Sequence, residues 1–261
     1  MLRKLMKYEF MAMGRIFLPL FGALFIISII NRILGQFGLT VPSGISLAIS
    51  IILMVGIFVL VFVLTIQRFW NNLLTSEGYL MMTLPVSTDR LILSKLLVAS
   101  VWSIVSLIVV GISILIMTMT EIDSFQFSLI IDNLRNTPYS AFEMTVLMLQ
   151  VALFLILGLF SGILLLYACM SLSMLANRHR PLLSFGAFIA ITTVLQIIIA
   201  ILAVISMSID AFSGLGIFLN ALSHFAAAQL VIGIAIVSAA ILCAIFYAIT
   251  RYMLKNRLNL Q

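Results

Sequence analysis

The side chains able to do chemistry in this 261-residue sequence are few and far apart. It has two histidines (His179 and His224), two cysteines (Cys169 and Cys243) and eight carboxylates. A metallohydrolase needs three or four such ligands on one ion, and the helical carrier H-E-x-x-H does not occur. Both cysteines sit inside apolar runs, where a thiol serves as a small core residue rather than half of a structural disulfide. No G-x-x-x-x-G-K-[ST] is present, so the chain lacks a loop to cradle nucleotide phosphates. Serines are plentiful and residue type alone does not exclude a serine hydrolase, but a serine without a base partner is far more often a helix-packing residue. The expectation is that this chain is not an enzyme.

The elements around these residues explain their scarcity. The sequence is 64% hydrophobic and 8% charged, against about 25% charged in a soluble domain. Its apolar residues come in runs of roughly 20 or more, enough to carry a helix across about 30 Å of hydrocarbon. Lipid admits only helices or closed barrels, and runs that are apolar on every face exclude barrel strands. The predicted fold is therefore all-α and polytopic. Six spans are expected: Ile16–Ile33, Ile45–Ile66, Leu96–Met119, Met144–Met170, Leu182–Met207 and Phe225–Ile249, all within a single transmembrane domain over residues 1–261. The fourth run stays apolar to Leu175, so its helix should tilt or project past the bilayer.

Charge sets the orientation. The formal charge is +6, yet the basic residues form no patch for nucleic acid and stand at the ends of apolar runs. With the N-terminus inside, Arg3, Lys4, Lys7, Arg15, Arg68, Arg90, Lys95, Arg178, Arg180, Arg251, Lys255 and Arg257 face the cytoplasm. Only Arg32 and Arg135 of the 14 basic residues face out. Five of the eight acids, Glu121, Asp123, Asp132, Glu143 and Asp210, lie outside. Both termini are thus expected in the cytoplasm of a cell whose membrane this chain spans several times. Residues 1–14 mix charges with Leu2, Leu5, Met6 and Phe10, as in a helix lying in the interface. The plainer alternative is a charged anchor for the first span. Residues 67–94 form the longest cytoplasmic connection, 120–143 an extracellular loop, and 208–224 a stretch apolar enough to dip in as a re-entrant piece.

Within the spans the polar residues are mild: Ser50, Thr65, Ser103, Ser106, Ser161, Thr192, Thr193 and Ser238, with Gln150 and Gln196 the costliest to bury. The two glutamines are candidates for a translocation path, and interhelical hydrogen bonding is the plainer role. Gly158 and Gly162 make a G-x-x-x-G that allows close helix approach. No Asp, Glu, Lys, Arg or His lies near the middle of a span, which argues against a proton relay. The chain has the body of a transporter without a source of energy, so any pumping must be driven by a partner.

The loop between spans two and three carries the most specific signal. It reads Glu77-Gly78-Tyr79-Leu80-Met81-Met82-Thr83-Leu84-Pro85-Val86-Ser87 and continues to Ser94-Lys95. Tyr79, Leu80 and Met81 are apolar knobs for a partner groove, Glu77 opens a helical turn and Pro85 closes it. Ser87, Thr88 and Asp89 are suited to start the next helix. An interfacial turn hugging the headgroups is the competing reading. This "EGYL…TLPVS…SK" run resembles the ABC-2 type permeases of Gram-positive bacteria that pair with a separate ATPase chain. The resemblance implies a coupling helix at Glu77, Gly78, Tyr79, Leu80, Met81 and Pro85, seated in a cleft of an ABC ATPase subunit that holds ATP and magnesium. It further implies export through a dimer, formed with a second copy or a similar permease, in a bacterial cell membrane. A non-transporting scaffold or sensor that recruits a cytoplasmic partner through the same loop is the alternative.

Overall fold

The computed structural model describes residues 2–73, 87–118, 140–175, 180–208 and 224–256. Among these, regular structure is entirely helical. In chain order the α-helices are α1 (Leu2–Gln36), α2 (Thr40–Leu73), α3 (Thr88–Thr118), α4 (Ala141–Leu172), α5 (Arg180–Ser208) and α6 (His224–Asn256). A 3-10 turn, Ser173–Leu175, continues α4. All six helices are long and apolar enough to cross a bilayer, and each predicted span coincides with one of them; only Met119, the last residue of the predicted third span, lies outside the described residues. The chain is an all-α, multi-pass membrane protein. The described residues gather into two compact units, α1–α3 and α4–α6 with the 3-10 turn.

The expected interfacial helix over residues 1–14 is not a separate element. Helix α1 runs unbroken from Leu2 to Gln36 with Pro19 inside it. The reason is local. No proline precedes Pro19, and a single interior glycine such as Gly14 costs a helix only about 1 kcal/mol. Gly14 also serves the packing, because a Cβ there would stand 3.2 Å from Cζ2 of Trp102 on α3. The bare Cα lets the indole lie against the α1 backbone.

The core of the first unit follows from this approach. Met13, Phe17, Phe21 and Leu24 of α1 meet Val98, Trp102 and Val110 of α3, and α2 adds Ile57 and Leu64. Phe10 and Phe17 stack on Trp102 at ring-centroid distances of 4.8 and 5.1 Å. In lipid such contacts hold helices together mainly by van der Waals packing. Helix α1 is closed by a turn through Gly38, whose φ of 67° is open to glycine at little cost. The Leu39 N–H donates to the Leu34 carbonyl at 3.2 Å, the closing bond of a Schellman turn. Helix α2 then folds back, and Asn31 Nδ2 donates to the Ser43 carbonyl at 2.9 Å and to Ser46 Oγ at 2.7 Å.

In the second unit α4 and α6 pack most closely, and α5 lies against α4 and the 3-10 turn. A capping box starts α4: the Glu143 N–H donates to Ser140 Oγ, and the Ser140 N–H donates to Glu143 Oε2 at 2.7 Å. Ile163, Leu164, Tyr167 and Ala168 of α4 are buried, as are Ala239, Phe246 and Leu254 of α6. The Cys243 thiol donates to the Leu157 carbonyl at 3.4 Å, and both cysteines are free. Neither Gly158 nor Gly162 is a point of close approach among the described residues: a Cβ on either would touch none of them within 4 Å.

Candidate functional site

A buried cluster of charges sits at one end of the first unit, where α1 begins, α2 ends and α3 begins. Lys95 Nζ of α3 donates to Glu9 Oε1 of α1 at 2.6 Å, and Arg68 Nη1 of α2 lies 3.9 Å from Glu9 Oε2. The Lys95 ammonium also lies 3.5 Å from the Arg68 carbonyl. The side chains of Lys95 and Glu9 are only 2% and 8% exposed, whereas that of Arg68 is 23% exposed. Removing these charges from water is costly, and tight pairing is what offsets the cost. Arg68 is less well served, for its Nε is buried without a hydrogen-bond partner among the described residues.

Position gives the cluster its meaning. Arg68 stands five residues before the end of α2 at Leu73, and Lys95 seven residues into α3 from Thr88. The cluster therefore ties both legs of the intervening loop to α1. Ser87 accepts at the start of α3, its carbonyl taking the N–H groups of Arg90 and Leu91 at 3.0 and 3.3 Å. At the other end of the unit stands the Asn31–Ser46 contact. Glu9 and Asn31 are 22 residues apart on α1, as are Ser46 and Arg68 on α2. At 1.5 Å per residue both stretches span about 33 Å, close to the roughly 30 Å hydrocarbon core of a bilayer. Two polar layers thus bracket a largely apolar slab of membrane thickness, with the exposed Arg15 of α1 toward its Glu9 end.

The loop residues singled out by sequence, Glu77, Gly78, Tyr79, Leu80, Met81 and Pro85, lie outside the described residues, as do most of 120–143 and 208–224. The two glutamines have different surroundings. Gln150 on α4 is half-buried, and its Oε1 is enclosed without a partner among the described residues. Gln196 on α5 is exposed, and none of the described α5 side chains is buried. The hydroxyls of the spans are largely self-satisfied. Ser50, Thr65, Ser103, Ser161, Thr192 and Ser238 each donate to a carbonyl three or four residues back on their own helix, the usual alternative for such side chains. Ser106 Oγ and Trp102 Nε1 are buried without partners among the described residues. Among the described residues no group of three His, Cys, Asp or Glu side chains could hold a metal.

Sequence reading took Arg68 and Lys95 as topology markers and Glu9 as part of a surface helix, so the cluster itself went unseen. A usable signal existed, because Glu9 is the only carboxylate before Glu77. A lone acid at the level where two other helices present cations is a candidate for burial with them. Chemically the cluster is a lock with one cation left partly open. No protein-family model, curated protein or solved structure matches this chain.

Proposed function

We propose that this chain is the membrane permease subunit of an ATP-driven ABC exporter, working as a dimer and coupled to a separate ATPase chain. The observation that carries the reading is the loop sequence from Glu77 to Ser87, placed between the second and third of six spans in a chain without a phosphate-cradling motif. The buried cluster supports it. A loop that transmits force needs a stiff base, and both its legs are tied to α1 by Lys95, Glu9 and Arg68. Two such subunits would line the path between them, and the ATPases would rock it between inward-open and outward-open states. In this reading the chain resides in a bacterial cell membrane and binds no ATP itself.

The test is Leu80→Asp. A charge in a desolvated groove, together with loss of the apolar anchor, should cost several kcal/mol, on the scale of the larger interface effects. The variant should reach the membrane at normal levels, yet fail to retain the ATPase in pull-down and fail to transport. Wild-type capture of the ATPase by the variant would defeat the coupling assignment. An interfacial anchor would instead show lowered insertion with capture intact.

The same reading places both termini and the loop in the cytoplasm, as the charge split requires. Glu9, Arg68 and Lys95 meet at one end, which supports a shared side for the N-terminus and the loop. After Cys169 and Cys243 are replaced, a cysteine at Ser128 should react with an impermeant thiol reagent in intact cells, and one at Ser87 should not. The opposite pattern would invert the topology.

A further inference from the structure

We infer that Arg15 is a binding site for the phosphate of a membrane phospholipid, on the side of α1 turned away from the core. Helix geometry fixes that side. At about 3.6 residues per turn, Phe17 and Leu24 lie roughly half a turn round from Arg15, and both are buried in the core of the first unit. Tyr8, Ile26 and Ile33 fall within roughly 20° of Arg15 itself. All three are exposed, as is the arginine. Leu18, on the adjoining turn, is exposed too. The cation and an apolar strip for an acyl chain therefore share one face of the helix.

Charge and depth select the ligand. Arg15 has neither a hydrogen bond nor an ion pair among the described residues. Glu9, the acid nearest to it in sequence, is buried and engaged by Lys95 at 2.6 Å. Arg15 stands six residues, about 9 Å, from Glu9 toward the middle of the slab. An unpaired charge at that depth is costly. Long side chains on a helix lean toward its N-terminus, which here is the direction of the nearer membrane face. The guanidinium thus reaches back toward the headgroups, and its planar fork fits two oxygens of a phosphate. The inference does not depend on transport, only on the chain spanning a membrane.

The test is solid-state NMR of the full chain, with isotope-labelled arginine, in phosphatidylglycerol bilayers and phosphate-free buffer. Dephasing of guanidinium nitrogen by lipid phosphorus reads their proximity. Arg15→Leu alters only an exposed position and should leave the fold intact, so subtracting its spectrum from that of the wild type isolates the Arg15 signal. That signal should be dephased by phosphorus in the bilayer. An Arg15 signal that lipid phosphorus leaves untouched would overturn the site. Dephasing by carboxylate carbon in place of phosphorus would give the cation to a protein acid, and would overturn it as well. In frozen maltoside micelles, with inorganic phosphate as the sole source of phosphorus, the Arg15 signal should not be dephased. Dephasing there would overturn the lipid as occupant.

Discussion

Lys95→Met should destabilise the first unit by about 3 kcal/mol, the lower end of what breaking a buried ion pair costs. The substitution takes the 2.6 Å ammonium contact from a Glu9 carboxylate that is 8% exposed and leaves Arg68 at 3.9 Å. Movement of Arg68 toward Glu9 recovers part of the loss, which keeps the figure low. The decisive comparison is the double variant Glu9→Leu with Lys95→Met. Replacing both partners by apolar groups of similar volume should bring stability back near wild type or above it. Unfolding of the purified chain by denaturant in mixed micelles measures all three proteins. Wild-type stability of Lys95→Met would mean that the pair is solvated and does not lock the helices.

The second large effect is expected at Trp102. Its indole is 4% exposed, stacked between Phe10 and Phe17, and laid on Gly14. Trp102→Ala should cost about 3 kcal/mol, again the lower end of the range for aromatic truncation. The reference state in a bilayer is already apolar, so cavity and lost contacts dominate over transfer from water. Because the indole fills the space over Gly14, Gly14→Leu should destabilise the wild type by overpacking and recover part of the loss in Trp102→Ala. The same unfolding measurement reads both. Additive losses in the double variant would show that residue 14 does not face the space vacated at 102.

Much of the fold was legible because lipid imposes it. Runs such as Ile45–Ile66 have no alternative to helix once they are in hydrocarbon, and each of the six helices coincides with one predicted span. The ends were less legible. Polar residues such as Glu9 and Arg68 continue a helix as readily as they end a span, so α1 and α2 overrun the hydropathy boundaries. Contacts between helices were least legible of all. Hydropathy does not say which face meets which, so Gly158 and Gly162 read as a contact that the structure leaves open. Gly14, in an unremarked position, is the glycine that makes one. The Glu9–Lys95 pair joins residues 86 positions apart, a proximity that no local pattern encodes.

The spacing of the two polar layers carries a consequence for the surrounding lipid. Helices α1 and α2 are pinned to each other near both faces of the slab, by Asn31 with Ser46 at one and by Glu9 with Arg68 at the other. A single span relieves hydrophobic mismatch by leaning on its own. A pair fastened twice leans only as one body, and that would drag α3 along through Lys95. The cost of a bilayer thicker or thinner than about 33 Å, fractions of a kcal/mol per Å, then falls on the lipids as local thinning or stretching. Membrane thickness becomes a variable that this unit senses as a block, and acyl-chain length a means of loading it.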